Sequence, residues 1–210
     1  MSNEVKKQEN RSSNSAYFIK LTVTLFLTCL VVAGLLGAVN LVTKDKIAAI
    51  NWEKTQQAMR AVVADPQGST FSEAMELTSA MTDAALVGGG KLTESYEVQV
   101  DGAHAGYALK IVASGSQGNI EMMVGLDAAG VVTGVSVVDH AETAGIGTKV
   151  TGNEATAKGV GVLDQFVGKS AAEGTLSVGS NVDAITGATV STKGVTAGVN
   201  AALAVAAVLG

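Results

Sequence analysis

The chain has 210 residues, a formal net charge of −5 and a single cysteine, Cys29. These values exclude an internal disulfide and a cysteine-ligated metal site. They also argue against a nucleic-acid partner, which would need clustered Lys and Arg to neutralise phosphates.

The first residues, 1–20, carry Lys6, Lys7, Arg11 and Lys20 against Glu4 and Glu9 and read as a tail. From Leu21 to Val42 no residue is charged, and the run is long enough for the roughly 20 helical residues that cross a bilayer core. A secretory signal has a shorter apolar region of about 7–15 residues, so 21–43 is expected to be a transmembrane helix anchored in the lipid bilayer. Thr22, Thr24 and Thr28 can return their hydroxyls to the helix's own carbonyls. Lys44, Lys46 and Lys54 follow closely, so charge leans only slightly toward a cytoplasmic N-terminus.

Residues 44–92 read as a helical connector. Ile47, Ile50, Met59 and Val62 or Val63 fall at helical spacing, and Asp65-Pro66 stops the run. A second helix is expected from Phe71 to Leu86, running into a joint at Gly88-Gly89-Gly90. The remainder, 93–210, is expected to be a domain of its own. Tyr96 to Val100 alternates, Asp101-Gly102 marks a turn, and Gly106 to Ala113 resumes the strand pattern. Ile120 to Leu126 and Val131 to Val138 read as two further strands, joined through Asp127 to Gly130. Residues 153–168 look partly helical, with Val160, Val162, Leu163 and Phe166 as core positions, and 175–178 adds a short strand. From Ser191 to Leu209, Val195, Val199, Leu203, Ala206 and Leu209 share a helix face. That helix is expected to cover the sheet rather than to span a membrane. The fold class is α+β: one N-terminal transmembrane helix, then a small antiparallel sheet packed with helices.

Two segments carry the chemistry. The first is Asp183-Ala184-Ile185-Thr186-Gly187-Ala188-Thr189-Val190-Ser191-Thr192, a hydroxyl-rich loop entering a helix, where free N–H groups and the dipole favour an anion. Such clusters are otherwise plain turns and caps. The second is His140-Ala141-Glu142-Thr143-Ala144-Gly145-Ile146-Gly147. A His and a Glu two residues apart suggest acid–base or metal chemistry, but a third positioned group is missing. No G-x-G-x-x-G opens a helix after a strand, so no nicotinamide site is expected.

The first segment resembles the (S/T)-G-A-T-x-(S/T) signature of the FMN-binding domain shared by the G subunit of Rnf and the C subunit of the Na+-pumping NADH:quinone oxidoreductase. The second resembles the H-x-E-T-P-G-(L/M)-G loop of the same family, with Ala144 where proline is usual. Gln56-Gln57 to Pro66, Gly106-Tyr107 and Gln165-Phe166-Val167-Gly168 support the match.

The resemblance implies FMN attached covalently, through a phosphoester, to Thr189. Gly187 and Ala188 would leave the backbone uncrowded, and Thr186, Ser191 and Thr192 would donate hydrogen bonds to the phosphate. Asp183 would organise the loop through backbone N–H groups, and Lys193 would either neutralise the phosphate or sit in solvent. Gly145, Ile146 and Gly147 would approach the ring, while His140, Glu142 and Thr143 would bond its edge or close the loop. Few aromatic residues follow the span, so the ring is expected on aliphatic side chains and backbone.

The function implied is that of an electron-relaying subunit of an ion-translocating ferredoxin:NAD+ oxidoreductase in the cell (inner) membrane, not catalytic alone, with the flavin domain on the outer, periplasmic side. Its partners would be other membrane and iron–sulfur subunits and a maturing flavin transferase, with no nucleic acid. The alternatives are a component like the C subunit of the quinone-linked pump, a membrane-tethered binding or assembly module without redox chemistry, and a His140/Glu142 hydrolase.

Overall fold

A computed structural model describes residues 2–209, with side chains from Tyr17 onward. Lys6, Lys7 and Arg11 of the basic tail lie outside the described side chains. Two compact units are present, Met1–Ile50 and Asn51–Gly210.

Helix α1 runs over Ser2–Val62. In the first unit its apolar side chains, among them Phe18, Leu25, Leu30 and Leu36, are exposed. The helix is long and apolar enough to cross a membrane. The Thr22, Thr24 and Thr28 hydroxyls donate to the carbonyls of Phe18, Lys20 and Leu25 at 2.9, 2.8 and 2.8 Å, so they present no unsatisfied polar group.

The second unit is built on a five-stranded antiparallel meander in the order β1-β2-β3-β4-β5: β1 Ser69–Phe71, β2 Gly90–Val100, β3 Ala103–Ser114, β4 Asn119–Asp127 and β5 Val132–His140. The β2–β3 turn is Asp101-Gly102, with φ of 53° and 76°, the left-handed pair that a two-residue hairpin turn demands. On one face Leu109, Ile111, Met122, Val124 and Leu126 pack against Val195, Val199 and Leu203 of a C-terminal helix. On the other face Tyr96, Val98, Ala108 and Met123 pack against Ala58, Met59 and Val62 at the end of α1. The Thr133 hydroxyl holds that end by donating to the Val62 carbonyl at 2.6 Å.

A register shift between Leu92 and Glu94 explains why β2 does not alternate simply. Leu92 pairs with Ile111 on the first face, whereas Tyr96 pairs with Ala108 on the second. One extra residue moves every later side chain to the opposite face. Beyond this bulge lies a polar cluster: Lys110 Nζ is 2.8 Å from Glu121 Oε1 and 3.3 Å from Glu94 Oε1, and the Tyr96 hydroxyl donates to Glu94 at 2.5 Å.

The helices of this unit, after α1, are α2 Ser79–Gly88, α3 Thr148–Thr151 and α4 Thr189–Leu209. The second helix therefore starts eight residues later than expected at Phe71. The chain from Ser72 to Met75 continues alongside β2, with Ser72 and Met75 N–H groups bonded to the carbonyls of Glu97 and Ser95, and only then does Thr78 cap α2 by accepting from the Met81 N–H. The glycine joint is a tight turn: Gly89 takes the left-handed conformation at the helix end and Gly90 already begins β2.

Residues 153–168 form only a single 3-10 turn, Asp164–Phe166, and Val160 is exposed, whereas Val162, Leu163 and Phe166 are core. The strand expected at 175–178 reduces to one bridge, Val178 to Val182. Helix α4 covers the sheet as expected. It has the length and composition of a span, yet 56 % of its apolar window is buried. Gly194 allows its close approach, since a Cβ there would lie 2.5 Å from the Ser114 carbonyl oxygen.

Candidate functional site

Three segments meet at the N-terminal end of α4: the β3–β4 turn near Ser116, the loop after β5, and the turn preceding the helix. They line a cleft of about 140 Å³ bounded by Ser116, Glu142, Thr143, Ile146, Gly147 and 187–191.

The helix entry is a hydrogen-bonded turn. The Ala188 N–H donates to the Ile185 carbonyl at 2.9 Å, and Gly187 sits at φ +85° with open space beside it. A left-handed residue at this position of such a turn calls for glycine. The turn delivers Ala188 to the position before the helix, where its carbonyl accepts the first helical bond from Thr192 at 3.0 Å. Alanine has no side-chain acceptor with which to cap a helix. The N–H groups of the first turn, at Thr189, Val190 and Ser191, also have no intrahelical acceptor. Thr189 is exposed and stands at this uncapped end.

Glu142 forms the opposite wall and is only 8 % exposed. One carboxylate oxygen accepts from the Ser191 hydroxyl at 2.5 Å. The other accepts from the Ser116 and Gln117 N–H groups at 2.7 and 3.4 Å. The loop that carries it closes on itself, with Ile146 N–H bonded to the Thr143 carbonyl at 3.2 Å and Gly145 N–H to the Thr148 hydroxyl at 2.8 Å. These bonds hold the loop with alanine at position 144. Ile146 and Val190 flank the cleft with apolar side chains that are 51 % and 56 % exposed.

The expected site residues do not all converge. Gly187, Ala188, Thr189, Ser191, Glu142, Thr143, Ile146 and Gly147 line the cleft, while Thr186 and Gly145 are exposed in the adjoining turns. Thr192 points into the core, its hydroxyl donating to the Ala188 carbonyl at 3.0 Å, so it is turned away from any phosphate. The Ser191 proton is directed at Glu142, which leaves that hydroxyl as an acceptor. Asp183 does not organise the loop through N–H groups. Its carboxylate pairs with Lys158 at 2.8 Å, and the loop backbone is held instead by Gln165, whose side-chain amide bonds the Asp183 N–H and carbonyl at 2.7 and 3.0 Å. His140 lines a separate hollow with Glu121 and Asp139, and its Nδ1 accepts from the Glu142 N–H at 3.2 Å. With His140 outside the cleft, no histidine stands beside Ser191 to act as a base. Lys193 is exposed.

Sequence reasoning missed Ser116 and the clamping role of Gln165. Neither role leaves a mark in the local sequence: Ser116 offers its backbone N–H, which any residue but proline supplies, to a partner 26 positions away, and Gln165 works 18 positions from its partner.

The lining suits the phosphate end of FMN: first-turn N–H groups without an intrahelical acceptor, the exposed Thr189 hydroxyl and an open glycine. The cleft lies below the roughly 300 Å³ of a pocket that encloses a small molecule, so the ring system would lie outside it, beside Ile146 and Val190. No aromatic side chain is among the described residues lining the cleft.

Residues 115–204 match the FMN-binding domain family. Over 197 residues the chain is 34 % identical to the G subunit of the Na+-translocating ferredoxin:NAD+ oxidoreductase complex of Acetobacterium woodii, covering 89 % of this chain and 90 % of the relative. It is 29 % identical to the G subunit of the ion-translocating oxidoreductase complex of Methanosarcina acetivorans, covering 87 % and 91 % of the two chains. For the protein of that description in Aliivibrio fischeri, the identity is 28 % over 88 % of each. With an FMN-binding domain and this chain-long similarity, the protein belongs to the family of G subunits of ion-translocating oxidoreductase complexes.

Proposed function

We infer that this chain is an electron-transfer subunit of a membrane-bound ferredoxin:NAD+ oxidoreductase of the Rnf type, and that it relays electrons through FMN joined to Thr189 by a phosphoester. The observation that carries the reading is an exposed threonine hydroxyl on an uncapped helix start, inside the matched FMN-binding region. The flavin supplies the one-electron chemistry, and the protein supplies attachment, orientation and electrostatics. The first-turn N–H groups of α4 donate to the phosphate oxygens. Gly187 leaves the space beside Thr189 open, and Ile146 and Val190 would offer the ring exposed apolar side chains to rest on, within reach of a redox partner.

Other membrane and iron–sulfur subunits exchange electrons with this one, and a flavin transferase makes the ester. The helix over 21–43 anchors the chain in the bilayer. Residues 1–20 form the cytoplasmic tail, and the flavin domain on the outer side comprises 93–210 together with the part of the 44–92 connector that completes its sheet and core.

The test is to produce the full chain together with an active flavin transferase and measure its intact mass. The wild type gains one FMN less one water, localised to Thr189 by peptide mapping, and fluoresces in a denaturing gel. Thr189→Ala loses the added mass and the fluorescence while the protein remains. A wild-type chain of unmodified mass overturns the reading.

A further inference from the structure

The cleft holds the N-terminus of α4 and a buried carboxylate side by side. Among its described lining residues there is no Lys, Arg or His to offset Glu142. Among the described residues Glu142 has no ion-pair partner; the groups that bond its carboxylate are a serine hydroxyl and two backbone N–H groups. Among the described lining residues the positive feature is the start of α4, equivalent to about half an elementary charge. Lys193 follows Thr189 by one turn of that helix, but it is exposed and does not line the cleft, so water and salt screen its charge.

From this charge balance we propose that the cleft discriminates against free FMN and accepts its phosphate only in the esterified form. This rests on Thr189 being the ester site. A free phosphate monoester carries about −1.5 to −2 at neutral pH, whereas a phosphate esterified on both sides carries one negative charge. Beside Glu142, and with half a positive charge to share, the monoester is the less favourable guest. Its last negative charge meets a carboxylate that the fold holds in place by three hydrogen bonds. Esterification removes that charge and supplies the anchoring that the cleft's polarity withholds. Covalent attachment, made by the transferase, then offsets the electrostatics of the cleft. Glu142 acts as a specificity determinant that repels the dianion.

The test uses the full-length Thr189→Ala chain, which cannot be esterified, titrated separately with free FMN and with riboflavin, which lacks the phosphate. FMN binds no more tightly than riboflavin. Adding Glu142→Gln, which keeps the shape and removes the charge, raises the affinity for FMN by roughly tenfold or more and leaves riboflavin unchanged. Should that variant fail to fold, Ser116→Lys, at an exposed position on the same rim, keeps the backbone N–H that bonds Glu142, supplies a cation and produces the same gain for FMN over riboflavin.

The proposal is overturned if Thr189→Ala binds FMN at least tenfold more tightly than riboflavin. It is equally overturned if a folded charge variant shows no gain for FMN over riboflavin, undetectable binding included. These titrations are independent of the mass measurement on the matured wild type, so a modified Thr189 with no charge discrimination removes this inference alone.

Discussion

The Ser191–Glu142 contact makes a quantitative prediction about the second unit. Glu142→Ala removes the acceptor of three hydrogen bonds, but their donors do not suffer equally. Ser116 and Gln117 are exposed, and water replaces the carboxylate at their N–H groups. The Ser191 side chain belongs to a residue only 1 % exposed, and its hydroxyl is left without a partner. A stranded buried donor costs about 1–3 kcal/mol, as does losing a hydrogen bond to a charged group, so Glu142→Ala is expected to cost about 2 kcal/mol. Ser191→Ala removes the other half of the same contact at a similar cost of about 2 kcal/mol. If the two side chains act as a unit, the double variant is destabilised by about 2 rather than about 4 kcal/mol, because nothing remains to be stranded. Denaturant unfolding of the full chain in detergent, followed by fluorescence of the single tryptophan, Trp52, measures all three against the wild type. Unchanged slopes would show that only stability has moved. Strictly additive costs, or a Glu142→Ala cost no greater than that of the exposed Glu76→Ala, would refute the coupling.

Gly194→Ala is expected to destabilise by about 1–3 kcal/mol through overpacking, because its Cβ meets the Ser114 backbone at 2.5 Å. Gly198→Ala should cost less, since its nearest neighbours are the Met122 side-chain Sδ and Cε at 2.5 and 2.6 Å, which can swing aside; equal melting temperatures for the two would count against this packing. Stability should also fall in alkali. Burial by itself lowers the Lys110 pKa, but bonds and charge from Glu121 and then Glu94 outweigh it and raise the value above 10.5, while burial, then Glu94, raises Tyr96 above 10.0. Each group keeps its proton longer folded than unfolded, so its contribution is complete below the ordinary value and is lost as pH rises toward the raised one. Tyr96→Phe should flatten the decline above about pH 10 in a pH series of melting temperatures, and an identical slope would oppose it.

Strands β2 to β5 and the two long helices were legible because their signals are periodic and local, whereas the three-residue β1, which forms only by pairing with β2, was not. Asp101-Gly102, Asp127 to Gly130 and the apolar face of α4 each needed only neighbours in sequence. What failed depended on distant partners. Ser72 to Met75 looks helical by composition but is drawn beside β2 by Glu97 and Ser95. Val160 reads as core, yet it lies in a turn whose only bridge is Ala155 to Gly161. The roles of the polar residues were least legible. A hydroxyl can donate to whatever it faces, and nothing in the pattern Thr-Val-Ser-Thr reveals that Thr189 faces out, Ser191 faces Glu142, and Thr192 faces the core. The 100° step of the helix separates them, but only the position of the sheet says which direction is inward.

That arrangement gives one residue two tasks. Glu142 joins the β3–β4 turn to the first turn of α4, and so fixes the width of the cleft; the same carboxylate sets its charge. Truncation to alanine changes both at once, so a loss of flavin attachment in that variant would not distinguish a collapsed wall from altered electrostatics. Replacement by glutamine separates them, because the amide oxygen can accept from the Ser116 and Gln117 N–H groups while its NH2 donates to the Ser191 hydroxyl oxygen, and the negative charge is gone. If width governs the site, glutamine should behave as the wild type and alanine should not. If charge governs it, glutamine should differ from the wild type in its preference for phosphate-bearing flavin while its fold is retained.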